Sequence, residues 1–281
     1  MKKLGLISDQ IKAFAQYLYE EEKEPTTIKK YLSDIHLFAL WAGEREVDKI
    51  LTAAWKEHLK KQDYKAETVN GKLSALNKFV HFIGRDDCRV KYLKIQRRLF
   101  RQAERNLSKE EYGKLLDAAQ DLGRSRLGLL METICATGIR VSEVKYITVE
   151  SVNMGYAEIA LKGKIRTILI PKRLCQKLRK YVKKQKLASG EIFITRSGKG
   201  LTRRQIWAEM KAICETAEVE PSKVFPHNLR HLFARTFYRI CRDVAKLADV
   251  LGHSSIETTR IYLISTGTEH VRQLDRLGLV L

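Results

Sequence analysis

The sequence predicts a mainly α-helical protein with one small β-hairpin, divided into two domains. Apolar residues recur at intervals of three and four through most of the chain, as they do along one face of an α-helix. One stretch, residues 157–170, instead alternates apolar and polar residues on either side of Gly163, a pattern typical of a β-hairpin. The length of 281 residues suits two domains, each with its own core.

The N-terminal domain, residues 1–84, is expected to be a bundle of four helices. The third predicted helix is the weakest and spans roughly residues 53–61. Residues that often begin or end helices mark the predicted limits of the other three: Ser8, Thr26 or Thr27, Gly43, Thr68 and Gly84.

Residues 85–106 form the predicted connection between the domains. This segment has no strong periodicity and is rich in basic residues, among them Arg97, Arg98, Arg101 and Arg105. It suits a linker that lies along DNA phosphates, and it equally suits a solvated run of charge. The segment alone does not choose between these two interpretations.

The C-terminal domain, residues 107–281, is predicted to begin with a helix, since Ser108 and Glu111 have the spacing of a capping box. Helical spacing continues up to the hairpin and resumes after Pro171. A further helix is expected to start at Pro226, because proline suits the first helical position.

Composition narrows the classes of function. The formal net charge of +20 favours a polyanionic partner, and nucleic acid is the leading candidate. The most apolar stretch, residues 127–139, is interrupted by Glu132, and no signal-peptide pattern follows Met1, so we expect a cytoplasmic protein without a membrane partner. Five cysteines, an odd number without a close pair, predict reduced thiols rather than disulfides or a zinc ribbon.

Arg140 is the first candidate for binding an anion. It follows the glycine turn at Gly138 and begins an amphipathic stretch that predicts a helix. The fork of guanidinium donors matches a phosphate, and a helix N-terminus adds a favourable field. Pairing with Glu143, three residues further on, is the common structural alternative.

The segment after Pro226 offers two more candidates. His227 and Arg230 stand three residues apart on one face of the predicted helix, so both can reach one phosphate. His231, four residues after His227, has a spacing that also suits a metal, but no acidic residue of the zinc-protease type lies between them, and no metal site is predicted. Taken alone, a histidine at a helix start beside a solvated arginine would be the ordinary interpretation.

His253 and Tyr262 belong to the next motif. The sequence Leu251-Gly252-His253 predicts a helix end, and a short helix through residues 256–261 leads into Tyr262. A tyrosine in such a position is usually a half-buried core residue. Nothing local marks Tyr262 as reactive.

The order of these motifs resembles the tyrosine recombinase family of lambda integrase, Xer and Cre. The shared series is Thr-Gly-Ile-Arg, a Lys-Gly hairpin, His-x-Leu-Arg, Leu-Gly-His and a tyrosine nine residues after that histidine. The resemblance covers nearly the whole chain. It implies an N-terminal helical core-binding domain and, from Leu107 onward, an α+β catalytic domain.

The resemblance also implies roles for individual residues. Arg140 and Arg230 would hold the non-bridging oxygens of the scissile phosphate, with His227 and His253 donating further hydrogen bonds. Tyr262 would be the nucleophile that becomes joined to the DNA.

The family's lysine, which acts as general acid toward the leaving 5′ oxygen, lies at the turn of the hairpin. Lys162 is favoured here because it directly precedes Gly163. Lys164 remains the alternative, since this chain has Leu161 and Lys164 where the family pattern has glycines.

The implied reaction is site-specific recombination of double-stranded DNA through a 3′-phosphotyrosyl intermediate and a Holliday junction, without a metal, ATP or another cofactor. The resemblance also implies a homo-oligomer, with a dimer at each site and a tetramer in synapsis. The C-terminal residues suit a tail that docks on the neighbouring subunit, with a fold-back onto their own domain as the alternative. Their apolar members are Val271, Leu274, Leu277, Leu279, Val280 and Leu281.

Three other functions remain open at this point. A type IB topoisomerase uses similar chemistry on one duplex. A non-catalytic DNA-binding protein would account for the charge and the helices but not for the ordered motifs. A metal-dependent nuclease would need carboxylates near His227 or His253, where Asp243 and Asp249 are the nearby aspartates.

Overall fold

The structure is a computed structural model that describes five stretches of the chain: residues 2–95, 106–161, 164–253, 255–260 and 275–277. It divides into two compact units, Met1–Arg97 and Arg98–Leu281. Within the described residues there are twelve α-helices and one two-stranded antiparallel sheet. The predicted fold class, mainly helical with a single hairpin, is confirmed.

The first unit is built around its fourth helix. The helices are α1 (Lys2–Glu20), α2 (Pro25–Ala42), α3 (Lys49–Lys61) and α4 (Ala66–Phe82). The central helix α4 contacts each of the other three, and its residues Leu73 and Leu76 are fully buried. Burial of such a face contributes more to stability than helix propensity does.

All four helices of this unit start earlier than predicted, and α4, for example, begins at Ala66 rather than at Thr68. Helix α1 already begins at Lys2 rather than at Ser8, because the apolar spacing extends back to Leu4, seven residues before Ile11. Helix α2 begins at Pro25, ahead of both Thr26 and Thr27. Proline has the φ of a helix and lacks the N–H group that would stay unpaired in the first turn.

Helix α3 also starts earlier than predicted, at Lys49. The carboxylate of Asp48 accepts a hydrogen bond of 2.6 Å from the backbone N–H of Leu51 and so caps the helix. The end of α2 lies where it was predicted, at Gly43, which adopts a φ of +62°.

Part of the predicted linker packs on the first unit. Cys88 is fully buried in the bundle core. The amide of Asn77 exchanges two hydrogen bonds with the backbone of Val90, and Asn70 does the same with Leu93. The bundle therefore continues beyond Gly84, and the rest of the predicted linker, residues 96–105, lies outside the described residues.

The second unit holds the remaining helices and the hairpin. Its elements are α5 (Lys109–Asp121), α6 (Ser125–Thr137), α7 (Val149–Met154), β1 (Tyr156–Leu161), β2 (Lys164–Leu169), α8 (Lys172–Gln185), α9 (Arg203–Lys211), α10 (Pro226–Cys241), α11 (Val244–Leu251) and α12 (Ile256–Arg260). Helix α6 is the core element, since Leu130, Met131 and Ile134 are fully buried and α5, α8, α9 and α10 all pack against it.

Sequence patterns correctly predicted two of these elements, helix α5 and the hairpin. Ser108 and Glu111 form the predicted capping box at the start of α5, with hydrogen bonds of 2.8 and 3.0 Å. The strands of the hairpin pair from Tyr156 with Leu169 to Leu161 with Lys164.

The helix predicted after Arg140 is present as a 3₁₀ helix, Val141–Tyr146. Residues Val144 and Ile147 are buried there, as their apolar spacing predicts. In the described part of the chain, no helix combines the length and apolar character needed to span a bilayer.

Candidate active site

Arg140 stands where α6 gives way to the 3₁₀ helix. Gly138 ends α6 with a φ of +66°, and Arg140 then occupies the cap of the next helix. The Arg140 backbone N–H and its Nη1 donate to the two carboxylate oxygens of Glu143 at 2.6 and 3.0 Å. Its Nη2 donates to the carbonyl of Gly252 at 3.3 Å, and 40% of the side chain stays exposed. The guanidinium is therefore held in place while part of it can still meet a ligand.

Arg230, on α10, is almost completely buried, with 2% of its surface exposed. Its Nη1 donates to the carbonyl of Gly138 at 2.5 Å, and its Nη2 donates to the carbonyl of Leu251 at 2.8 Å. The same Nη2 lies 2.9 Å from Nε2 of His253. Arg230 thus joins the turn before Arg140 to the end of α11.

The contacts of His253 assign its proton. An arginine only donates, so Nε2 of His253 accepts from Arg230, and the ring proton is on Nδ1, which donates to Oγ1 of Thr259 at 2.8 Å. Burial and the positive charges of Arg230 and Arg140 lower the pKa of His253 to about 4. In this structure, therefore, His253 is neutral near neutral pH and acts as an acceptor.

His227 lies in the first turn of α10, exposed, three residues before Arg230. Its ring meets the buried ring of His231 edge to face, with 4.5 Å between centroids. His227 is also among the groups that lower the pKa of His253, although its contribution is the smallest of those named.

Two residues of this cluster were not predicted as site residues. They are Glu143 and Arg166, and Arg166 lies on strand β2. Glu143 is 1% exposed and accepts hydrogen bonds from Arg140 and from Nη2 of Arg166, the latter at 2.5 Å. The three-residue spacing from Arg140 to Glu143 was recognised as a possible ion pair, which the structure shows. No local signal marked Arg166, because its partners lie in other elements of the unit.

The remaining predicted site residues fall outside what the structure describes. Lys162 and Tyr262 are among the undescribed residues, and of Lys164 the structure gives the backbone, paired with Leu161 at the end of the hairpin. Helix α12 ends at Arg260, two residues before Tyr262. Most of the apolar tail also lies outside the described residues, so its docking stays a prediction.

The described residues contain no group of three histidine, cysteine or acidic side chains that could hold a metal ion. Asp243, considered above as a nuclease ligand, instead caps α11 through a 3.0 Å hydrogen bond from the backbone N–H of Lys246. What the geometry offers is a cluster of guanidinium and imidazole groups, which is suited to a phosphate.

Comparison with protein families agrees with this chemistry. Residues 105–268 match the model of the phage integrase family, and residues 11–86 match the N-terminal SAM-like domain of phage integrases. The family match covers more than half of the chain. The chain therefore belongs to the phage integrase family and is a tyrosine recombinase.

Individual relatives extend over almost the full length. The tyrosine recombinase XerA of Thermococcus kodakarensis is 30% identical, across 95% of this chain and 94% of that protein. The tyrosine recombinase XerD of Vibrio vulnificus strain YJ016 is 26% identical, across 88% of this chain and 87% of that protein.

Solved structures share the fold. A Tn1549 transposon integrase in complex with transposon right end DNA superposes with a TM-score of 0.71 at 15% identity, covering 96% of this chain and 99% of that one. A lambda integrase tetramer bound to a Holliday junction gives a TM-score of 0.70 at 19% identity, covering 91% and 76%.

Proposed function

We propose that this protein cleaves and rejoins double-stranded DNA at a specific site through a 3′-phosphotyrosyl intermediate on Tyr262, and exchanges strands through a Holliday junction without metal or ATP. The observation that carries the proposal is the buried Arg230. Its contacts to two backbone carbonyls and to His253 fix a guanidinium beside the partly exposed Arg140, in the positions of the family motif.

The charge of the cluster supports a phosphate ligand. Arg140, Arg166 and Arg230 carry three positive charges, and the buried carboxylate of Glu143 offsets one of them. Among these described side chains, the positive charges therefore outnumber the negative one in a partly desolvated site. A phosphodiester that gains negative charge in its pentacoordinate transition state is stabilised by such a preorganised field.

His253 can donate a hydrogen bond to the phosphate if the bound phosphate raises the pKa of its imidazole. The arginines lower the pKa of His253 as long as no anion is near. A bound phosphate adds negative charge, which raises the pKa of a neighbouring imidazole. We propose that His253 then donates to the phosphate together with the exposed His227.

The covalent step follows from the motif positions. The hydroxyl of Tyr262 bonds to phosphorus, its proton passes to His227, and the bond from phosphorus to the 5′ oxygen breaks. The leaving oxygen takes a proton from the hairpin lysine, for which Lys162 is proposed and Lys164 is the alternative. Attack by a free 5′-OH reverses the step and restores the lysine proton.

The assembly is proposed from the structural relatives. One of them is a lambda integrase dimer bound to a core site, and another is the tetramer on a Holliday junction. We propose the same states for this chain, with the N-terminal unit as the core-binding domain and with tail exchange between subunits. The protein would act on DNA in the cytoplasm.

A covalent adduct tests the proposal. A pool of nicked duplexes with a randomised centre is incubated with the protein in EDTA, and DNA that stays attached under denaturing conditions is sequenced. We expect one enriched site, and loss of the adduct in Tyr262→Phe. Arg140→Ala and Arg230→Ala should lose most cleavage while still binding the site, because they act on the transition state.

Two results would contradict the proposal. An adduct that persists in Tyr262→Phe would exclude this nucleophile, and cleavage that requires a divalent metal would exclude the mechanism. Incubation of two duplexes carrying the enriched site then separates recombination, which yields a junction, from relaxation of a single supercoiled circle.

A further inference from the structure

Arg166 connects three elements of the second unit. It lies on strand β2, where it is paired with Ile159, and 15% of its side chain is exposed. Its Nη2 donates to Glu143 at 2.5 Å, and its Nη1 donates to the carbonyl of Val250, near the end of α11, at 3.1 Å. One side chain therefore ties the hairpin to the two segments that hold Arg140 and His253.

Gly252 lies close to the end of the Arg166 side chain. A Cβ at that position would stand 2.4 Å from Cδ of Arg166 and 2.6 Å from its Nη1. A larger residue there would push this arginine aside, and the φ of +63° at this position also favours glycine.

Stability alone is a poor explanation for a charged group in this position. Burial lowers the pKa of the Arg166 guanidinium although Glu143 opposes the shift, and its buried Nε has no hydrogen-bond partner among the described residues. Replacing a buried ion pair by packed apolar groups is often neutral or stabilising. An apolar residue at position 166 would make neither the hydrogen bond to Glu143 nor the one to Val250, so the geometry that these bonds impose would be lost.

We propose that Arg166 is a positioning residue that fixes strand β2, which follows the predicted lysine turn in the sequence, relative to the arginine cluster. The inference rests on the proposed function of the site. Lys164 and Lys162 precede Arg166 by two and four residues along the same hairpin. Arg230 has contacts of its own to Gly138 and Leu251, so we expect it to stay in place when Arg166 is replaced, while the hairpin loses its tie to the cluster.

The expected defect falls mainly on proton transfer. A displacement of about 1 Å between reacting groups can slow a reaction by about 10²-fold. Arg166→Gln should therefore slow cleavage of ordinary DNA by about 10²-fold. The same variant should recover most of this loss when the leaving 5′ oxygen is replaced by sulfur, because a thiolate leaves without needing a proton from the lysine.

The experiment compares these two substrates on the enriched site, one with a bridging 5′ oxygen and one with a bridging 5′ sulfur, using the full-length protein. Lys162→Ala and Lys164→Ala identify which lysine gives the pattern of loss on oxygen and recovery on sulfur. Arg126→Gln is the matched control, since Arg126 also bridges one carbonyl, of Ile194, and one carboxylate, of Glu209, in the same unit. It should cleave both substrates at the wild-type rate.

Arg166→Lys provides a second variant, because a lysine keeps the charge but cannot bridge Glu143 and Val250 as a guanidinium does. Arg166→Lys should slow cleavage of the 5′-oxygen substrate less than Arg166→Gln does, and it should recover in the same way on the 5′-sulfur substrate. Slow cleavage of both substrates by both variants, with folding retained in thermal melting, would overturn the inference, as would no loss on either substrate. If neither lysine variant recovers on sulfur, the proposed general acid is wrong and the inference falls with it.

Discussion

At the scale of single residues, His253 shows how neighbours decide what a side chain does. Its Nε2 accepts from Arg230 and its Nδ1 donates to the buried Thr259, so both ring nitrogens are engaged in one orientation. Protonation of the ring would place a further positive charge beside Arg230, Arg140 and Arg166. The neutral ring is therefore part of what lets these arginines lie together.

The stability of the protein should depend on pH through His253. Its pKa is about 4 in the folded protein and near 6.5 in the unfolded chain, so the unfolded chain binds the proton more tightly. The stabilisation is complete above pH 6.5 and is lost as the pH falls toward 4. In His253→Gln, which keeps an acceptor but does not titrate, the free energy of unfolding should fall less over that range.

Denaturant unfolding of both proteins at neutral pH and near pH 4 measures the difference. An equal loss of stability in the two proteins would show that other groups account for the acid sensitivity. The comparison is internal, so carboxylates common to both proteins cancel.

At the scale of elements, the turn after α6 sets the position of two arginines. The carbonyl of Gly138 accepts a hydrogen bond from Arg230, and Arg140 follows two residues later. A Cβ on Gly138 would lie 2.4 Å from the ring of Phe233 on α10. Close approach of α10 to this turn is thus a condition for the site.

Gly138→Ala should destabilise the protein more than Gly155→Ala. Both glycines end helices with positive φ, +66° and +83°, and each alanine costs about 1 kcal/mol for the left-handed backbone. Gly155 has open space around it, whereas at Gly138 the clash with Phe233 adds about 1–3 kcal/mol. Free energies of unfolding in denaturant measure both changes, and equal values would refute the packing argument.

At the scale of the whole molecule, the net charge of +20 governs the encounter with DNA. Each phosphate that a lysine or arginine neutralises releases condensed counterions, so binding weakens steeply with salt. This electrostatic contribution to binding does not depend on the DNA sequence or on the chemistry at Tyr262.

Affinity for a random duplex should therefore fall by about 10³-fold or more between about 50 and 200 mM salt. Fluorescence anisotropy of a labelled duplex measures it. Tyr262→Phe has the same charge and should give the same salt dependence, although it forms no adduct. A shallow dependence would mean that few of the basic residues contact phosphates.

The order of motifs in the sequence was enough to predict the family and the helical fold with its hairpin, while the role of Arg140 and Arg230 as anion ligands stays a prediction. These features depend on periodicity, capping and spacing, which are local along the chain. The caps of the first helices were placed less well, because proline at the first helical position and an early start of the apolar spacing compete with ordinary cap residues.

The tertiary structure decided how the site is held together. The sequence did not indicate that Arg166 shares Glu143 with Arg140, nor that His253 is a neutral acceptor. These contacts join residues 23 and 112 positions apart in the chain: Arg166 with Glu143, Arg230 with His253, and Arg140 with Gly252. Periodicity reports which face of an element is buried, but the charge and tautomer of a buried group depend on the neighbours that folding brings to it.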